Sequence, residues 1–185
     1  MRLSKPRITP LPESEWSEDQ KKIGAPLKKQ YGFVFNVLST LMRNMPLLTK
    51  WNHLAGHIMG TSSLAPRLRE MAIMRVGLLT NCEYEWGQHV LMSASAGLTP
   101  EDHARIKLGA TAPDWSELER AVLLVTDELI AETMISDETW ALVSAHLNDQ
   151  QLTDLIFTVG QYNMLAMALN SIGVQREPTV PGFDG

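Results

Sequence analysis

Apolar residues recur along this chain with a helical period, at spacings of three and four, and almost nowhere alternate as strand residues would. The runs "FVFNVLSTLMRN", "PLLTKWNHLAGHIM", "PRLREMAIMRVGLLT" and "SELERAVLLVTDELIAET" each carry an apolar stripe beside a polar face. The pattern predicts an all-α fold of successive helices, with prolines and glycines marking their ends. "ESEWSEDQKKI" is expected to stop before Gly24, the next run before Pro46, and the one after it at Gly60. Thr99 with Asp102, Asp114 with Glu117, and Ser136 read as helix starts, and Gly173 as a helix stop. Residues 1–13, with three prolines, read as an extended arm, and residues 14–185 as one helical domain.

The last predicted helix, about 149–172, is apolar nearly all round and is expected to be either the buried central helix or a subunit interface. With the arm, this points to a homo-oligomer. Tyr162 lies in that helix as a polar group needing a partner, in a cleft or across an interface.

Two helical runs, 66–80 and 82–96, are separated so briefly that they must pack as antiparallel neighbours, with Asn81 as the expected N-cap of the second. On that second helix Cys82, Glu85, Trp86 and His89 share a face, while Tyr84 and Gln88 point elsewhere. At about 1.5 Å rise per residue, Glu70 on the first helix comes level with His89 and can orient its imidazole. A carboxylate-held imidazole facing a second acidic group is a proton-transfer arrangement.

Composition narrows the possibilities. The net charge is −5 and the 16 basic residues are scattered, which argues against nucleic acid or an anionic membrane as partner. Neither an apolar leader core nor a membrane-length apolar run is present, so a soluble, cytoplasmic protein is expected. The single cysteine leaves the fold to packing alone. His53 and His57 stand at i, i+4 like metal ligands, but no third ligand accompanies them; neither a metal nor another cofactor is expected. His57 remains a candidate for lining a pocket.

The stretch "LREMAIMRVGLLTNCEYEWGQHVLMSASAGLTPEDHARI" resembles the signature region of the carboxymuconolactone decarboxylase family, including its AhpD-like branch. The resemblance implies an AhpD-like helical fold and assembly as a dimer, trimer or hexamer. In the hydroperoxidase branch a glutamate is followed by a C-x-x-C pair and then a histidine; Glu70, Cys82 and His89 match, but Glu85 stands in place of the second cysteine. An internal disulfide cycle is therefore impossible. The decarboxylases keep a glutamate four residues before the histidine, as Glu85 and His89 do here.

The expected function is cofactor-free acid/base chemistry, decarboxylation or a related proton transfer, on a small organic acid or lactone. Glu85, His89, Glu70 and Cys82 are the catalytic candidates, with Trp86, His57 and Tyr162 lining the substrate site. Two alternatives stand beside it: a peroxidase-type antioxidant role through Cys82 alone, and a non-catalytic helical binding or assembly module.

Overall fold

A helix with four consecutive buried residues must be packed on all sides, and Met71–Met74 meet that condition. In a computed structural model, which describes residues 2–184, they belong to α4 (Pro66–Leu79), the central element. Around it the described chain forms α1 (Glu18–Tyr31), α2 (Asn36–Leu41), α3 (Met45–Gly56), α5 (Glu83–Ser93), α6 (Pro100–Leu108), α7 (Glu117–Glu132), α8 (Asp137–Ser144) and α9 (Asp149–Ile172), without a strand among the described residues. α4 packs against α5, α7 and α9. No helix among the described residues is long and apolar enough to cross a membrane.

α9 is therefore not the element buried all round. It packs Leu152, Leu155, Val159 and Leu169 inward but leaves Phe157, Met164 and Met167 exposed. Its N-terminus is a capping box of Asn148 with Gln151, and Gly173 closes it in the left-handed region at φ 79°, as its position predicts.

Several helix ends fall elsewhere than expected. α1 runs through Gly24 and Pro26 to Tyr31. Gly24 serves contact rather than termination, because a Cβ there would lie 2.3 Å from the Trp16 ring. α7 is capped by Ser116 with Glu119, while Asp114 supplies a left-handed turn at φ 63°. α3 leads into a single π-helical turn, His57–Thr61.

Of the arm, Met1 lies outside the described residues, as does Gly185 at the other end. Residues 2–12 lie along the chain's own body: Arg7 N–H donates to Ile172 O at 2.7 Å, Leu11 N–H to Ser39 O at 2.9 Å, and the Arg2 guanidinium to Thr80 O at 2.8 Å.

Candidate functional site

α4 and α5 form the hairpin that carries the site, and two residues shape it. Asn81 adopts φ 51°, a left-handed conformation that asparagine tolerates, and so reverses the chain instead of capping α5. Cys82 is then the N-cap residue, with its N–H on Gly77 O at 2.7 Å and its carbonyl accepting from Trp86 N–H at 3.0 Å. Gly77 permits the close approach: a Cβ there would meet Trp86 N at 3.1 Å.

One and a half turns into α5, His89 meets Glu70 of α4. The imidazole Nδ1 lies 2.6 Å from Glu70 Oε2, and both residues are buried. The Arg69 guanidinium donates to Glu70 Oε1 at 3.3 Å. Burial opposes ionisation of Glu70, but His89 and Arg69 outweigh it and hold its carboxyl below the ordinary value. The carboxylate thus fixes Nδ1 as the donor nitrogen, with Nε2 making no hydrogen bond among the described residues. The Tyr162 ring packs edge-on against the imidazole, with centroids 5.0 Å apart.

Glu85 lies one turn earlier and behaves in the opposite way. It is 3% exposed, and neither carboxyl oxygen has a hydrogen-bond partner among the described residues. Burial alone pushes its pKa well above the usual carboxylate range. Burial thus favours the neutral acid at Glu85 while His89 and Arg69 favour the carboxylate at Glu70, and such divergence separates a proton donor from an orienting carboxylate.

Both Glu85 and His89 open onto a cavity of about 170 Å³ that Tyr84, Gln88, Gln161 and Tyr162 also line. The remainder of its wall is mainly apolar, with Phe35, Val37, Leu38 and Leu165 among its members. The Tyr162 hydroxyl donates to Met59 Sδ at 3.1 Å, and burial keeps the phenol protonated.

Four expected site residues lie outside this wall: Glu70, which holds His89 from α4, and three others. Cys82 is fully buried against Tyr84, Ala166, Leu169 and Val174. Burial, then the Glu85 carboxyl, pushes its thiol up to about 12. Trp86 faces the main core, 5.8 Å from Phe183 and 6.4 Å from His103 between ring centroids, with Lys107 Nζ 5.2 Å above its ring. Its place follows from helical rotation: 84, 85, 88, 89 and 92 make the cavity face, which turns 86 and 93 inward. His57 bonds Asp154 Oδ1 through Nε2 at 2.8 Å and Thr61 Oγ1 through Nδ1 at 3.1 Å, so the turn after α3 engages it. Among the described residues no three His, Cys, Asp or Glu side chains group as metal ligands.

Helical spacing alone turns Tyr84 and Gln88 away from the site, yet both line it. They are held there by Glu177, which accepts from Tyr84 Oη at 3.0 Å, Gln88 Nε2 at 2.5 Å and Asn36 N–H at 2.7 Å. Trp51 and Gln161 also line the cavity and were not anticipated from sequence. Their signal is weak: single polar groups in otherwise apolar helical runs.

Residues 46–128 match the carboxymuconolactone decarboxylase family. This stretch holds Glu70, Cys82, Glu85 and His89. No curated protein matches the chain. An uncharacterized peroxidase-related protein from Silicibacter sp. TM1040 is similar in structure, with a TM-score of 0.80 at 19% identity, covering 98% of this chain and 95% of that one. The alkylhydroperoxidase AhpD core from Ralstonia eutropha JMP134 gives a TM-score of 0.80 at 18% identity, covering 92% of each chain. The debrominase Bmp8, in complex with 2,3,4-tribromopyrrole, gives 0.79 at 14% identity, covering 95% of this chain and 94% of that one.

Proposed function

We propose that this chain, AhpD-like in fold and matching the carboxymuconolactone decarboxylase family over residues 46–128, is a cofactor-free acid–base enzyme acting on a small organic acid or lactone. The family match and the fold support decarboxylase- or peroxidase-related chemistry in general. The observation that carries the finer reading is the opposed surroundings of two carboxyls: Glu85 on the cavity wall, buried with no hydrogen-bond partner among the described residues and pushed toward its neutral form, and Glu70 off the wall, paired with His89 and held toward its ionised form.

In this reading Glu85 delivers its proton to a substrate carbon and becomes a carboxylate. In a decarboxylation, the C–C bond to the leaving carboxylate breaks, its electron pair stays on carbon, carbon takes the Glu85 proton, and CO₂ departs. His89 then relays a proton from water to restore Glu85, with Glu70 fixing its ring. The apolar wall around them withholds the solvation that would otherwise stabilise the Glu85 carboxylate, and so keeps the acid loaded.

A thiol route through Cys82 finds less support, since its sulfur is buried behind the wall as a protonated thiol. The test is a parallel screen of unsaturated lactone acids and of peroxides with thiol reductants, on wild type, Glu85→Gln and Cys82→Ser. Lactone-acid turnover lost in Glu85→Gln and kept in Cys82→Ser supports the reading; peroxide turnover lost in Cys82→Ser replaces it. No turnover in either arm favours a non-catalytic module.

A further inference from the structure

Two more side chains at the cavity wall carry buried polar atoms without a hydrogen-bond partner among the described residues: the indole N–H of Trp51 on α3 and both amide atoms of Gln161 on α9. Gln161 is only 4% exposed. Folded proteins leave few buried polar groups unpaired, so their gathering around one cavity marks where a ligand supplies the partners. Their chemistry specifies which partner. Trp51 can only donate, and Gln161 donates through two N–H groups while accepting through one oxygen, so the pair presents more donors than acceptors. An oxygen acceptor on the ligand fits them. Among the described residues no lysine or arginine lines the cavity, and the one histidine there, His89, is already paired with the Glu70 carboxylate, so a carboxylate held there would be desolvated without a cation of its own to offset it. An uncharged oxygen escapes that cost.

We infer that Trp51 and Gln161 form a recognition subsite for an uncharged carbonyl oxygen, and that the cavity selects a small neutral ketone or ester over a carboxylate. The subsite rests on the proposed acid–base reading for its catalytic meaning: it holds the carbonyl end while the apolar body of the ligand places a carbon against Glu85 and His89. With a neutral ligand the decarboxylation form of the proposed chemistry falls away, and its other form, proton transfer beside the carbonyl of a lactone or ketone, remains.

Three probes of one ring size test it: cyclohexanone, methylenecyclohexane and cyclohexanecarboxylate. Binding to ¹⁵N-labelled protein is followed at the Trp51 indole N–H, identified as the signal missing from Trp51→Phe. Cyclohexanone is expected to move that signal saturably and to bind about three- to tenfold more tightly than the hydrocarbon, the range for one neutral hydrogen bond. The carboxylate is expected to bind more weakly still. Gln161→Leu should erase the preference for ketone over hydrocarbon, with its melting temperature recorded to confirm folding. A stationary Trp51 signal, equal binding of ketone and hydrocarbon, or tighter binding of the carboxylate each overturns the subsite, and the two affinity comparisons can be read on wild-type protein alone. Because binding is read without turnover, ketone selectivity in a protein that fails the Glu85 activity test keeps the subsite and removes the chemistry. Glu85-dependent turnover without ketone selectivity does the reverse.

Discussion

Glu70 and His89, 19 residues apart in sequence, meet at 2.6 Å in a buried contact, whereas Glu85 on the same helix as His89 makes no hydrogen bond to it. The imidazole is therefore oriented from α4, and the acid one turn away is left free for a ligand. Glu85→Gln and His89→Ala are each expected to lower kcat by about 10²-fold or more once a substrate is found. Because the two act as a unit, the double variant should be little worse than the poorer single one. Additive losses in steady-state kinetics would separate their roles.

The pH dependence of stability carries the sign of Glu85. Its folded pKa is raised above the ordinary 4.5 by burial, so the folded state holds the proton more tightly than the unfolded state. The stabilising effect is complete below 4.5 and is lost as pH climbs toward the raised folded value. The melting temperature of wild type should thus fall relative to Glu85→Gln as pH rises from about 4.5 through the raised folded value, and level off above it. A gap that stays constant from about pH 4.5 upward would show that Glu85 is already ionised in the fold.

Cys82 should be nearly inert. A thiol pushed up to about 12 and fully buried presents little thiolate at neutral pH. Iodoacetamide is expected to label it slowly in native protein and readily in denatured protein, as counted by mass spectrometry. Cys82→Ser should change activity far less than Glu85→Gln.

Gly87 faces the chain's last segment so closely that a Cβ would lie 2.1 Å from Pro181 O and 2.6 Å from Val180 Cγ1. Backbone must move to admit it. Gly87→Ala is expected to destabilise the protein by about 1–3 kcal/mol, the usual cost of overpacking, measured by urea unfolding.

We also propose self-association through the exposed apolar face of α9, where Phe157, Met164 and Met167 stand together. Light scattering should give a dimer or larger species, and Phe157→Glu should shift it toward monomer. A well-folded wild-type monomer at micromolar concentration would sink the idea.

Helical periodicity and punctuation made the architecture legible, since Thr99, Ser136, Asn148 and Gly173 end their helices through local chemistry that one stretch of sequence contains. The expected AhpD-like all-α fold stands. Gly24 misled because its role depends on Trp16, a tertiary contact. The Glu70–His89 meeting was legible from rise per residue and a short turn. Which face of α5 meets the cavity was not, because Glu85 and His89 border two faces of the helix, one carrying Trp86 and the other Tyr84, Gln88 and Met92, and tertiary packing decides between them. Tyr84 and Gln88 depend on Glu177, and nothing local in the sequence links positions so far apart.

The threefold grip of Glu177 on Asn36, Tyr84 and Gln88 has a thermodynamic corollary. Two cavity-lining side chains are positioned by a carboxylate from the far end of the sequence, so the cavity exists in its finished shape only while residues 174–184 are docked. Ligand occupancy and docking of that segment are linked equilibria: whatever fills the cavity slows amide exchange at the distant tail, and whatever loosens the tail weakens binding at a site it never touches.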